Sequence, residues 1–228
     1  MVNTNRDEAI TFTSLGLKKD SEIPSYLHRI FPFLDSPNTE RLKDLYPNDE
    51  AASGIQRHNV SAAMSDYYFH CPARLMSKTY RAANMSVHKS MFTHHFGISK
   101  IMPYQGIGVT LNLGVTHGMD LAFWWNLEFL MGVFGAEKQL SRVMVNALIT
   151  FGSCHHRSNP GVKCTVGGLG GTKIWPEYVN DTRINLRMPV NELAIVSDTE
   201  WDSKCRFLDE VVRSVANGKT LGLIEPAM

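Results

Sequence analysis

The sequence predicts an α/β protein that is rich in helix, with a few strands from one edge of a larger sheet. Apolar residues recur at helical spacing over most of the chain, and only a few short segments have the composition of strands. These strands lack nearby partners in the sequence, as expected at the edge of a larger sheet. No domain boundary is evident, so we expect residues 1–228 to form one incomplete domain.

The first predicted helices lie in the N-terminal third of the chain. Residues 36–47 read as a short helix that Ser36 caps and Pro47 ends. Residues 60–83 repeat apolar side chains at helical spacing, but Pro72 interrupts the pattern. We therefore expect two helical pieces or a kink there.

The predicted strands are short and far apart. Residues 87–96 have β-like composition, and residues 108–115 read as a strand or a loop. The segment 158–182 is rich in glycine, proline and asparagine, which predicts a long loop. The sequence RINLRM at 183–188 follows it as a short strand.

Two further helices are predicted in the C-terminal half. The segment 136–151 places apolar residues on one face, namely Leu140, Val143, Met144, Ala147, Leu148 and Phe151. A terminal helix begins near Thr199, a possible cap, and ends before Gly218.

Composition excludes several classes of partner. The chain has 228 residues, a net charge of +1 and 43% apolar residues, which is ordinary for a globular protein. Nucleic acids and anionic membranes select basic patches, so we expect neither as a partner. The most apolar stretch, residues 121–134, is shorter than the roughly 20 residues of a membrane span and contains Asn126 and Glu128. No cofactor motif is present.

Paired histidines raise the question of a metal site. His94 is followed by His95, and Cys154 is followed by two more histidines. Adjacent side chains on a strand point in opposite directions, and the helical His-Glu-x-x-His motif is absent. Cys164 could add a ligand only from within a long predicted loop. We therefore expect no metal.

Cysteines and glycosylation sequons point to a secretory history. Four cysteines are compatible with two disulfides without establishing them. Sequons occur at Asn59, Asn84 and Asn180. The polar N-terminus has no apolar signal-peptide core, so the chain as written would stay in the cytoplasm.

Five stretches of the sequence, in order, resemble motifs in the C-terminal part of type-B carboxylesterases, the cholinesterase-like branch of the α/β-hydrolase fold. They are NRDEAITF (5–12), DYYFHCPAR (66–74), VTHGMDLAFWW (115–125), WPEY (175–178) and WDSKCRFLDEV (201–211). By residue type alone, Glu8 would be a solvated helix-start residue and His117 a structural histidine. The order and spacing of the five motifs favour the family over those interpretations.

The resemblance implies a role for each matched residue. Glu8 corresponds to the acid of the family's catalytic triad and His117 to its general base. Cys71 and Cys205 correspond to a disulfide found in many members. The fold implied is the C-terminal portion of an α/β hydrolase, the substrate a small-molecule ester, and the location extracellular.

The triad's nucleophile is missing from the sequence. In this fold the serine lies in a Gly-x-Ser-x-Gly elbow before the acid. No such pattern occurs in the 228 residues. We therefore expect a hydrolase fragment that is inactive alone. The alternative is a non-catalytic, esterase-derived interaction module.

One residue departs from the family pattern beside the acid. Ala9 stands where the family has glycine. If that position needed a positive φ, alanine would be strained and the orientation of Glu8 would suffer.

Overall fold

The computed structural model describes residues 1–14, 17, 20–47, 57–94, 114–127, 135–156, 166–169, 173–179, 184–188 and 193–217. The chain divides into two compact units. Unit 1 consists of Met1–Glu8 and Pro72–Thr199, and unit 2 of Ala9–Cys71 and Glu200–Met228.

Unit 1 contains a four-stranded sheet with the order β1-β2-β5-β6. Its strands are β1 (Val2–Asn5), β2 (Lys89–Phe92), β5 (Ile184–Met188) and β6 (Ala194–Ser197). β1, β2 and β5 run parallel, and β6 pairs antiparallel with β5. Parallel neighbours need long connections, which explains why strands adjacent in the sheet are far apart in the sequence.

The predicted strands were found only in part. The segment 183–188 contains β5, and β2 is a shorter strand inside 87–96. Most of 108–115 lies outside the described residues, and its last two residues are not in a strand.

The prediction of a long loop at 158–182 was wrong. β3 (Val166–Leu169) and β4 (Lys173–Trp175) form an antiparallel pair there. The register shifts between Val166 and Leu169, and glycines occupy the two positions between them. Glycine is depleted in strands but common at bulges, so composition concealed a real strand.

The apolar core of unit 1 lies between the sheet and two helices, α5 (Leu121–Trp124) and α6 (Gly135–His156). It contains Phe92, Val115, Ala122, Phe123, Leu140, Val143, Met144, Ala147 and Trp175. Most of the apolar face predicted for 136–151 is therefore buried. Leu148 is the exception, because it is 42% exposed.

A buried carboxylate fixes the end of β6 within unit 1. Asp198 is 0% exposed, and its Oδ2 atom lies 3.2 Å from Arg74 Nε and 3.2 Å from Lys89 Nζ. The hydroxyl of Tyr178 donates to the same oxygen at 3.1 Å. Burying a carboxylate costs free energy unless such partners compensate for the lost contact with water.

Unit 2 is built from helices around a second apolar core. Its helices include α1 (Ile23–Ile30), α2 (Ser36–Leu45), α3 (Arg57–Ser65) and α7 (Asp202–Ala216). The cap predicted for α2 was displaced by one residue, because Asp35 Oδ1, not Ser36, accepts from the Asn38 N–H at 2.9 Å. An aspartate in extended conformation just before the first turn makes this bond readily.

The expected interruption near Pro72 is present in an unusual form. A π-helical turn, Asp66–His70, connects α3 to α4 (Cys71–Ala82). Pro72 is the second residue of α4 and has no N–H to donate to this turn, whose hydrogen bonds have the wider π spacing, as in the bond from the Cys71 N–H to the Asp66 carbonyl. The chain thus passes the proline without ending the helical run.

Covalent and polar links join the two segments of unit 2. Cys71 and Cys205 form a disulfide with a Cα–Cα distance of 5.3 Å. Nearby, the Trp201 indole N–H donates to Asp66 Oδ1 at 2.9 Å, and the Tyr46 hydroxyl donates to Asp66 Oδ2 at 2.6 Å. Burial, reinforced by the Asp66 charge, raises the pKa of the Tyr46 phenol, which therefore stays a donor.

Within the described part of the chain, no helix has the length and apolar character needed to cross a bilayer.

Candidate active site

Glu8 is a buried carboxylate in the turn that follows β1. Only 4% of the residue is exposed. The backbone N–H of Asn5, the last residue of β1, donates to Glu8 Oε1 at 2.6 Å. This bond leaves the second carboxylate oxygen to point at another group.

His117 is that other group. Its Nδ1 atom lies 2.7 Å from Glu8 Oε2, although the two residues are 109 positions apart. Because a carboxylate only accepts, Nδ1 carries the proton and Nε2 is the basic nitrogen of the neutral ring. The side chain of His117 is 51% exposed, against 5% for Glu8. The acid is therefore buried, and the imidazole can reach a reactant.

Two glycines shape the turn that carries His117. Gly114 and Gly118 adopt φ angles of +57° and +76°, in the region that glycine enters without strain. Between them, Val115 exchanges two hydrogen bonds with Asp7. The Asp7 N–H donates to the Val115 carbonyl at 3.0 Å, and the Val115 N–H donates to Asp7 Oδ2 at 2.7 Å. The loop that carries Glu8 (the acid loop) and the loop that carries His117 (the base loop) are thus joined directly by hydrogen bonds.

Asp120 makes a second connection between the two loops. Its carboxylate accepts from Asn3 Nδ2 at 2.7 Å, from Asn5 Nδ2 at 2.9 Å and from Trp124 Nε1 at 3.0 Å. Asn5 therefore donates a hydrogen bond to Glu8 through its backbone N–H and another to the loop that carries His117 through its side-chain amide. Ser90 extends the network by donating to Asn3 Oδ1 at 2.6 Å.

The departure at Ala9 does not strain the chain. Among the described residues other than glycine, only Asn84 and Asn126 have positive φ. Ala9 is fully buried, and its N–H donates to Ser65 Oγ at 2.9 Å. Alanine is therefore unstrained at this position and does not disturb the orientation of Glu8.

The other paired histidines form no metal site among the described residues. His94 Nε2 lies 2.9 Å from Glu137 Oε1 and is edge-on to Phe123. His95 and Cys164 lie outside the described residues. No group of three or more candidate metal ligands occurs in the part of the chain that the structure describes.

Sequence reasoning missed the residues that join the acid and base loops. Asp7, Asp120 and Asn5 carry this geometry, yet only Glu8 and His117 were singled out. A signal was available, since Asn3 and Asn5 are two residues apart in a strand and so project to the same face. In the structure both amides donate to Asp120, but the sequence alone does not identify this shared acceptor.

A buried carboxylate that orients a half-exposed histidine beside a mainly parallel sheet resembles the acid–base pair of an α/β hydrolase. The crystal structure of Aspergillus niger EstA has this fold and matches the chain with a TM-score of 0.68 at 16% identity. The match covers 93% of this chain and 39% of that one. The predicted fold class is confirmed.

Sequence comparison narrows the class to a family. Secreted lipase 4 of Gibberella zeae is 26% identical over 194 residues, which are 81% of this chain and 31% of that protein. The model of the carboxylesterase family matches residues 4–203. The chain belongs to the carboxylesterase family and spans less than two fifths of the length of both relatives.

Proposed function

We propose that this chain supplies the acid and the general base of a serine-dependent carboxylic ester hydrolase. The observation that carries the proposal is the 2.7 Å bond between Glu8 Oε2 and His117 Nδ1. In such a triad the carboxylate fixes the histidine tautomer and stabilises the imidazolium that forms when Nε2 takes the serine proton. Glu8 precedes His117 in the chain, which is the order this fold requires.

The nucleophile would come from polypeptide outside these 228 residues. No Gly-x-Ser-x-Gly occurs in the sequence. Without that serine there is no acyl-enzyme, and an unaided imidazole–carboxylate pair gives only weak general-base hydrolysis. Residues 1–228 would then be part of one larger catalytic domain and inactive by themselves.

The alternative of a non-catalytic interaction module has weaker support. Such a module has no chemical use for a buried carboxylate aimed at a half-exposed imidazole. It also has no need for the hydrogen bonds of Asp7 and Asp120, which set the distance between the two loops. We further propose that the protein is secreted, since a relative of this family is named as a secreted lipase.

A fusion experiment tests the proposed function. The N-terminal portion of a carboxylesterase-family relative, with its Gly-x-Ser-x-Gly, is joined to residues 1–228. We expect hydrolysis of an aryl ester, and a loss of kcat of about 10⁴-fold or more in H117A and about 10⁴-fold in E8Q. His28 is exposed on α1, so H28A is the matched control and should keep full activity.

The isolated chain provides the complementary measurement. We expect no ester hydrolysis above that of free imidazole at the same histidine concentration. A rapid burst of acyl transfer from the isolated chain, or an active fusion indifferent to His117, would refute the proposed roles.

A further inference from the structure

The three glycosylation sequons differ in local structure, and two of them lie in described parts of the chain. Asn180 lies outside the described residues. Asn84 follows the last turn of α4, whereas Asn59 is inside α3. An N-linked glycan is bulky and polar, so the folded protein must keep the asparagine of the sequon at its surface.

Asn84 is exposed and ends its helix in a left-handed backbone conformation. Its φ is +59°, in the left-handed region where asparagine is tolerated better than most residues. The Asn84 N–H donates to the Arg81 carbonyl at 2.9 Å, and the Met85 N–H donates to the Tyr80 carbonyl at 3.0 Å. This pair of bonds is a Schellman motif, which ends α4.

The rest of this sequon is also accessible. Met85 is 53% exposed, and Ser86 is half-buried in a segment without regular structure. The Ser86 hydroxyl donates to Glu177 Oε1 at 2.5 Å in an exposed bond, which water can replace at little cost. Both reacting side chains can therefore be presented together.

The sequon at Asn59 has the opposite properties. Asn59 is half-buried in α3, and Ser61 is only 3% exposed. Residues two apart on a helix do not face each other, so the amide and the hydroxyl point in different directions. Val60 between them is buried in the apolar core of unit 2.

We propose that Asn84 carries an N-linked glycan and that Asn59 does not. The Asn84 amide nitrogen attacks the anomeric carbon of a lipid-pyrophosphate-linked oligosaccharide. The new carbon–nitrogen bond replaces the bond to pyrophosphate, which leaves with the lipid, and the amide loses one proton. The inference needs the chain to enter the secretory pathway and does not depend on ester hydrolysis.

The test supplies the secretory route. Residues 1–228 carrying N180Q are expressed in yeast behind a cleavable leader, and leader cleavage verifies entry. Protein from medium and cells is treated with peptide N-glycosidase in ¹⁸O-water, which converts each glycosylated asparagine into labelled aspartate. We expect the label at Asn84 and none at Asn59.

Two variants separate the modification from folding. S86A removes the hydroxyl but keeps Asn84 in its left-handed conformation, and it should abolish the glycosidase-sensitive gel shift. N59Q should leave that shift unchanged. A label at Asn59, or leader-processed chain with no label at Asn84, would overturn the inference. Labelled chain retained in the cells would support the site and count only against secretion.

Discussion

Gly114 and Asp7 are packed so closely that residue 114 has no room for a side chain. A β-carbon built on Gly114 would lie 2.7 Å from Asp7 Cγ and closer still to Asp7 Oδ2. The same oxygen accepts the Val115 N–H, so Asp7 cannot retreat without breaking the link between the two loops. The position of His117 therefore depends on the absence of a side chain three residues earlier.

The G114A variant tests this dependence. We expect a loss of about 1–3 kcal/mol in the free energy of unfolding, because alanine is strained at positive φ and clashes with Asp7. G152A is the control, since Gly152 is inside α6 with nothing within 4 Å of an added β-carbon. Alanine there should stabilise by about 1 kcal/mol. Urea unfolding of both variants gives the comparison, and an equally stable G114A would contradict the close packing.

Asp120 is predicted to position His117 without taking part in the chemistry. In D120N an amide NH₂ would replace one of the oxygens that face the donors Asn3, Asn5 and Trp124. Two donors would then face each other, at a cost of about 1–3 kcal/mol. In the active fusion we expect kcat to fall at least tenfold.

A spectroscopic signature separates positioning from general destabilisation. The Nδ1 proton that His117 shares with Glu8 should give a far-downfield proton resonance, which D120N should broaden or shift. D209N is the control. Asp209 is exposed on α7, and its observed interaction is the ion pair with Arg213. An unchanged resonance and unchanged kcat in D120N would show that the loop holds its place without this carboxylate.

The pairing of Glu8 with His117 could be expected from the sequence because each residue lies in a short local motif. Glu8 and His117 are each surrounded by neighbours that match the family motifs, and this resemblance is the basis of the roles proposed for them. The residues that join them could not be found this way. The bonds of Asp7 to Val115 and of Asp120 to Asn5 join positions over 100 residues apart, and no local pattern encodes such a pairing.

The strands, too, could be predicted from the sequence only in part. α6 was found because its apolar face repeats over many turns, whereas β1 and β6 have only four residues each. β1 reads VNTN, and the side chains of Asn3 and Asn5 donate to Asp120 within the protein instead of facing solvent. Period and hydropathy cannot identify a strand whose buried partners are polar.

The disulfide is predicted to be a major source of stability for unit 2. It joins positions 134 residues apart, and closing a loop of that length stabilises the folded state by about 5 kcal/mol on the chain-entropy model. C205S should therefore lower the urea midpoint strongly, and reduction of the wild-type chain should have a similar effect.

Peptide mapping without reductant checks the pairing itself. We expect one cross-linked peptide that joins Cys71 to Cys205. A cross-link from Cys71 to Cys154 would contradict the structure, and an unchanged midpoint for C205S would contradict the stabilising role.

His88 is predicted to make unit 1 sensitive to mild acid. The imidazole is 1% exposed and packs edge-on against Phe151 and Trp175. Burial lowers the pKa of His88 below its ordinary value of 6.5, and the opposing effect of Glu177 is smaller. The unfolded chain therefore binds more protons than the folded chain as the pH falls below about 6.5, so stability is present above that pH and is lost below it.

Urea unfolding of wild type and H88F at about pH 7.5 and about pH 5.5 measures this contribution. Phenylalanine preserves the ring packing and cannot be protonated, so H88F should lose less stability between the two pH values than wild type does. Equal losses would show that His88 is not the group responsible.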